Sequence, residues 1–373
     1  MKEIIKWLSS NLYIPPLSPG CTLCAQGAKM VLFITGHCNT HCFYCPLSIK
    51  KQGRDHIFAD EWKLTDEHDT EKLIKEAQLI GAKGAGITGG DPLLVLNRTC
   101  SYIQLLKETF GNTFHIHLYT PLIKEKKDID SLVTAGLDEL RFHPPPHYWP
   151  HMEKSFLKDM IHHAKEYPLD VALEIPVMPD KEKDILSLIS WADKNQIDWV
   201  NLNELEYSEG NYKKLDHLGY SYKSDISASV QGSEITALNI MDYCSTQDLT
   251  VGVHYCSSKF KDAIQLKNRI TRRANRTAKP YDVITPDGTL LRGIITTKND
   301  HHQTIKLLQK KYAIPSDLIE NDTKNSRINI AAWILQDIAE ELKKQGFQCH
   351  MVEEYPTADQ LMVEKIELPI KET

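Results

Sequence analysis

The sequence predicts an α/β protein, a partial (β/α)6 barrel followed by a small C-terminal α+β appendage. Six short apolar, often β-branched runs between residues 30 and 204 alternate with stretches whose apolar residues recur at helical spacing. Each repeat is long enough for a helix to cross back between two parallel strands. Beyond Tyr207 that alternation stops and the composition turns polar and irregular. At 373 residues the chain has room for one large domain and a smaller one.

In chain order, residues 1–29 read as an N-terminal extension. It holds a short amphipathic helix, the proline-rich turn Pro15-Pro16-Leu17-Ser18-Pro19-Gly20 and a Cys21-Thr22-Leu23-Cys24 pair. The run Met30-Val31-Leu32-Phe33-Ile34-Thr35 reads as a buried strand. Apolar spacing at Leu73, Ile74, Ala77 and Ile80, stopped by Gly81, predicts a helix over 66–80. Strands are then expected at 84–88, 114–119, 138–143, 170–177 and 198–204, with helices at 97–110, 127–135, 151–166 and 182–195. Another helix to about 243 and a strand at 249–255 close the barrel region, 30–256. The C-terminal region, 257–373, opens with a basic helix over 257–279. A hairpin turning at Pro286-Asp287-Gly288 follows, then helices at 300–312 and 327–345 and strands at 347–354 and 361–368.

Composition narrows the function classes. No uninterrupted apolar run reaches the length of a membrane span. The charged start, Met1 to Leu8, does not read as a signal peptide. Nine cysteines without a secretion signal favour metal binding in a reducing compartment over a disulfide framework, so the expected location is cytoplasmic. A net charge of −6 leaves partners open, because a local basic stretch survives inside an acidic total.

The chemistry concentrates in Gly36-His37-Cys38-Asn39-Thr40-His41-Cys42-Phe43-Tyr44-Cys45-Pro46, directly after the first strand. Three thiolates on one loop can hold three irons of a cubane and leave the fourth open. A zinc knuckle and a disulfide are the alternatives, and zinc wants a fourth ligand. The spacing C-x3-C-x2-C with Tyr44 before the last cysteine resembles the signature of the radical SAM superfamily. Within it, Cys-Phe-Tyr-Cys-Pro-Leu-Ser is similar to archaeal proteins related to pyruvate formate-lyase activating enzyme. The resemblance implies a partial barrel of radical SAM type and a [4Fe-4S] cluster on Cys38, Cys42 and Cys45. It also implies S-adenosyl-L-methionine chelated to the open iron and an electron donor such as flavodoxin or ferredoxin. Reductive cleavage then yields a 5′-deoxyadenosyl radical.

Gly89-Gly90-Asp91-Pro92 closes the second strand, where that superfamily usually carries a Gly-Gly-Glu-Pro-like run. Glycines let a backbone approach a ligand, and their carbonyls suit an ammonium group. On this reading Gly90→Val leaves the cluster but obstructs the cofactor. The shorter Asp91 makes a direct ligand contact less secure than the backbone role. Arg141 is a candidate partner for the methionyl carboxylate, and Asn201 and Asn203 for ribose hydroxyls or adenine edges. Thr120, His143 and Glu174 share the strand ends. A second metal site, zinc or another iron–sulfur cluster, is expected on Cys21, Cys24 and Cys256, with His254 or Cys244 as the further ligand.

Eight lysines and arginines between Lys259 and Lys279 suggest polyanion contact, RNA among the possibilities. The function expected is therefore a radical SAM enzyme modifying RNA or another macromolecule. A glycyl-radical-enzyme activase and small-molecule chemistry are the alternatives within that class. A non-catalytic, metal-binding, nucleic-acid-binding protein is the rival from another class. It leaves Gly89-Gly90-Asp91-Pro92 and the six β/α units without a purpose.

Overall fold

The computed structural model describes residues 2–368. They form two compact units, one running to Gln78 and resuming over Ala82–Leu266, the other comprising Leu79–Gly81 and Lys267–Thr373, of which 369–373 lie outside the described residues. The break at Leu266/Lys267 falls inside the stretch expected as one basic helix, and residues 1–29 belong with the barrel rather than beside it.

The first unit is built on β1 (Lys29–Phe33), β2 (Gly84–Thr88), β3 (His115–Thr120), β4 (Glu139–Phe142), β5 (Asp170–Val177), β6 (Trp199–Glu204) and β7 (Gly252–Cys256). These seven are parallel and hydrogen-bonded in sequence order. Six were expected in the barrel. β7 joins because the helix Ser233–Thr246 supplies one more crossover and Asn201 pairs in register with His254. The edges are covered by short antiparallel strands: Leu12–Ile14 lies on β7 and Phe58–Ala59 on β1. Residues near the start that were expected as a helix instead form the hairpin Ile5–Lys6/Leu12–Ile14, since Asn11 and Tyr13 are drawn into pairing with the β7 segment.

Side chains alternate between the two faces of each strand. One set, including Leu118, Leu140, Phe142, Leu173, Ile175, Val200, Leu202 and Val253, is fully buried and apolar, as are Leu73, Ile103, Leu132, Ile161 and Leu188 on the crossover helices. The other set is polar: His115, His117, Glu139, Arg141, Glu174, Asn201, Asn203 and His254. Its members bond to one another and to α1 (Pro19–Ala25), so this helix fills the barrel interior. Ser18 caps α1 by accepting from the Cys21 N–H, and Pro19 opens it, a position where a missing N–H costs nothing.

In the second unit a six-stranded antiparallel sheet runs Ile319–Asp322, Arg327–Ile330, Leu290–Thr296, Gln348–Glu354, Met362–Glu367, with Val283–Ile284 beside Leu290–Thr296. Helix Ala332–Lys344 packs Leu335, Ala339 and Leu342 on Ile295, Ile328 and Met351. The single helix expected over 327–345 is thus a strand and then a helix, because Arg327–Ile330 pairs on both sides within the sheet.

Candidate active site

The loop carrying Cys38, Cys42 and Cys45 leaves the C-terminal end of β1 and is pinned at its base. Arg98 reaches across with Nη1 and Nη2 donating to the two Asp55 carboxylate oxygens at 2.7 and 2.9 Å, and Nη1 also donates to the Ile34 carbonyl at 3.1 Å. Thr35 Oγ1 donates to Asp55 at 2.9 Å. The Arg98 hydrogen bonds hold the Asp55 carboxyl at about 2, below its ordinary 3.8. A lowered folded-state value stabilises the fold above the ordinary carboxylate range, and that contribution is lost as pH falls from about 4 to 2. Arg98→Ala should therefore cost about 1 kcal/mol at neutral pH, since Asp55 is partly exposed and water screens the pair. The difference from wild type should shrink as pH falls from about 4 to 2, leaving the part carried by the Ile34 carbonyl bond, as melts of the two cluster-free proteins across that range would record. Neither Arg98 nor Asp55 was picked out from the sequence, because 43 residues separate them.

The three cysteines are free thiols, half-buried. Thr40 Oγ1 lies 3.0 Å from Cys38 Sγ, and the Thr40 N–H donates to the same sulfur at 3.4 Å. Tyr44 hydroxyl and His143 Nε2 are 2.9 Å apart, and His143 Nδ1 is 2.6 Å from the Glu174 carbonyl oxygen, which fixes the ring with Nδ1–H as donor. Burial opposes ionisation of Cys42, but hydrogen bonds with His143, Tyr44 and Thr40 outweigh it, and its thiol sits below the ordinary range. Burial pushes the Cys45 thiol up. A zinc knuckle wants a fourth ligand, whereas in a cubane each of three thiolates takes its own iron.

Gly89 and Gly90 close over the same loop. The Gly90 N–H donates to the Thr35 carbonyl at 2.8 Å and the Asp91 N–H to the His37 carbonyl at 2.7 Å. Gly89 has φ +148°, and a Cβ there would collide with the Thr35 carbonyl oxygen. A Cβ on Gly90 would run into the His37 carbonyl oxygen and come within 3.0 Å of Cys38 Cβ. This corrects the expectation that Gly90→Val spares the cluster. The smaller Gly90→Ala should already displace the cysteine loop, lowering iron retention after reconstitution as well as S-adenosylmethionine binding. Unchanged iron content would refute that coupling. Asp91 accepts from the Leu93 N–H and from Thr120 Oγ1, so its carboxylate caps the turn Pro92–Val95 rather than standing free.

Arg141 is a second correction. Its guanidinium is buried and already committed, with Nε 2.6 Å from Glu139 Oε1 and Nη1 2.8 Å from Glu174 Oε2. Further donations go to Tyr119, Ser18 and Cys21. No fork is left for a methionyl carboxylate. Asn201 lies buried beneath, bonding Cys21, His254 and Glu174, while Asn203 donates to Glu174 Oε1 at 2.9 Å and keeps partial exposure at the strand end.

Cys21, Cys24 and Cys256 do come from the two ends of the barrel unit into its interior, but they do not make a single-ion site. Among the described residues, no three of Cys21, Cys24, Cys244, His254 and Cys256 bring ligand atoms within 4.8 Å of one another. Cys21 Sγ instead donates to Asn201 Oδ1 and accepts from Arg141 Nη2. Cys256 packs with Ala25 and Phe260. Burial pushes Cys21 up to about 12 and Cys24 and Cys256 upward as well, so all three are neutral thiols. His254 bonds Asn11 and Asn201 through its two nitrogens, leaving no lone pair for zinc.

The Radical SAM superfamily profile matches residues 32–192. A profile described as a domain of unknown function, DUF8061, matches 288–368. A Methanocaldococcus jannaschii protein, provisionally named a glycyl-radical enzyme activating enzyme, is 40% identical over 379 aligned residues, covering 100% of this chain and 97% of that protein. The GTP 3′,8-cyclase of Clostridium botulinum is 31% identical over 115 residues, 29% of this chain and 34% of that protein. Among solved structures, Streptococcus suis SuiB bound to S-adenosylmethionine aligns with TM-score 0.44 and 10% identity over 62% of this chain, half of SuiB's length. A cysteine loop on the first strand of a parallel β/α sheet, matched by the superfamily's profile and by a relative along nearly its whole length, places this chain in the radical SAM superfamily of enzymes.

Proposed function

We propose that the chain activates a partner enzyme by taking a hydrogen atom from a glycine of its backbone. The supporting observation is the 40% identity to a protein provisionally named as such an activase, along 97% of that protein, so the C-terminal region is common to both. Cys38, Cys42 and Cys45 hold a [4Fe-4S] cluster, and the Gly89-Gly90 backbone and Tyr44 border the position of S-adenosylmethionine. When bound, the two supply one-electron reductive cleavage to a 5′-deoxyadenosyl radical, with a ferredoxin or flavodoxin as electron donor. The chain's own part is positional: Arg98 and Asp55 hold the base of the cysteine loop, and Gly90 and Asp91 bond its backbone. His143 and Tyr44 steady Cys42. Asn203 and Glu174 line the strand ends open to a substrate.

The RNA reading loses its main support. Lys261 pairs with Glu206 at 2.6 Å and Lys267 with Asp287 at 3.1 Å, while Arg273 is buried and donates to the Pro356 carbonyl. Three of its eight basic residues are therefore engaged by internal partners. Reconstituted protein with S-adenosylmethionine and dithionite should release 5′-deoxyadenosine. With its partner added, the same mixture should develop the doublet of a glycyl radical in electron paramagnetic resonance. Nucleoside without a protein-borne radical would move the substrate to RNA or a small molecule. No nucleoside from a protein with full cluster iron would overturn reductive cleavage itself.

A further inference from the structure

The cysteine loop leaves β1, yet its last part meets the turn that follows β6, a strand that is not a neighbour of β1 in the sheet. Asn211 makes the junction. Its Nδ2 donates to the Tyr44 carbonyl at 3.1 Å and to the Glu206 carbonyl at 2.9 Å, while Oδ1 accepts from the Ser208 N–H at 2.7 Å. The residue is buried, and a neutral amide offers two N–H donors beside its carbonyl, so both donors and the acceptor are in use. An asparagine just before a helix ordinarily turns its side chain onto the helix's own N–H groups. Asn211 holds that position before the helix Tyr212–His217 and makes no such bond. Its side chain reaches instead to a residue 167 positions away in the chain.

Gly210 lets the two backbones come together. A Cβ there would stand 2.0 Å from the Leu47 carbonyl oxygen and 3.4 Å from that of Cys45, so the turn 208–211 lies directly against the segment carrying the last cysteine. The Tyr44 carbonyl belongs to the peptide that joins Tyr44 to Cys45, and a bond to it restrains both residues. The far end of the Tyr44 side chain is held as well, its hydroxyl 2.9 Å from His143 Nε2 just after β4. At the start of the loop the Asp91 N–H donates to the His37 carbonyl at 2.7 Å. Cys38, Cys42 and Cys45 are therefore carried between two anchors, one from the end of β2 and one from the end of β6.

We propose that Asn211 and Gly210 are positioning residues for the cofactors: the turn after β6 sets where Tyr44 and Cys45 sit, and so where S-adenosylmethionine lies against the cluster. The inference rests on the reading of Cys38, Cys42 and Cys45 as cluster ligands with Tyr44 beside S-adenosylmethionine, and is independent of which substrate the radical acts on. The test takes the full chain, reconstituted anaerobically with its iron counted and reduced with dithionite. S-adenosylmethionine is then titrated in while the electron paramagnetic resonance of the cluster is followed. Asn211→Ala should keep its cluster iron, because all three thiolates remain. Its resonance should already differ from wild type before S-adenosylmethionine is added, and half-saturation should need about tenfold more of it, roughly what one hydrogen bond contributes. Gly210→Ala should give the same signature with Asn211 intact, and Lys213→Ala, exposed on the following helix, should match wild type. A turn with only a structural role would lower the melting temperature of the cluster-free variant and leave resonance and half-saturation unmoved. That result in Asn211→Ala would overturn the proposal, and where Asn211→Ala does not fold, the same result in Gly210→Ala would overturn it. A wild type that takes up no iron would overturn the cluster reading and this proposal with it, so the two failures are told apart by the wild-type iron count.

Discussion

Cys42→Ala is expected to abolish the visible thiolate-to-iron absorption of the reconstituted protein and to bring 5′-deoxyadenosine release down to background. Cys42 lies between the other two thiols on the loop after β1, and its Sγ is 3.8 Å from Thr40 Oγ1. Removing it leaves two thiolates, too few to hold a cubane by three corners. The fold itself should survive, because Cys42 is half-buried on a loop and belongs to neither apolar core. Circular dichroism and the melting temperature of the cluster-free variant should therefore match wild type. A variant that kept both the band and the activity would remove this loop from the chemistry.

Arg141→Met should have the largest effect on stability, on the order of 3–5 kcal/mol, from breaking a buried ion pair by deleting one partner. Burial opposes the charge on Arg141, but the Glu139 and Glu174 carboxylates hold the guanidinium protonated. Without it, Glu139 keeps a buried carboxylate facing Ser18 and Trp199, and Glu174 loses its closest cation. Chemical denaturation should show the drop directly. The double variant Arg141→Met/Glu139→Gln should recover part of it, since both buried charges then go together. Equal stability of Arg141→Met and wild type would mean that the interior network does not hold the barrel.

The alternating strands, their crossover helices and the cysteine loop were legible in the chain because each rests on local signals: apolar periodicity, helix stops such as Gly81, and thiols spaced within eight residues. The superfamily follows from that loop and from Gly89-Gly90-Asp91-Pro92, whose glycines touch it through the Thr35 and His37 carbonyls. Tertiary structure alone decided what polar residues on the inner faces of the strands do. Arg141 reads from the sequence as a free fork at a strand end, yet Glu139 two residues earlier and Glu174 on the next strand claim it, and Ser18 arrives from 123 residues away. The pair Cys21 and Cys24 reads as half a metal site, but α1 enters the barrel and turns Cys21 onto Arg141 and Asn201. His115 looks like ordinary alternation in a strand until Lys29 and Glu139 are set on either side of its ring. A strand's period determines which side chains face inward; the register between strands and the path of the N-terminal segment determine what each of them meets there.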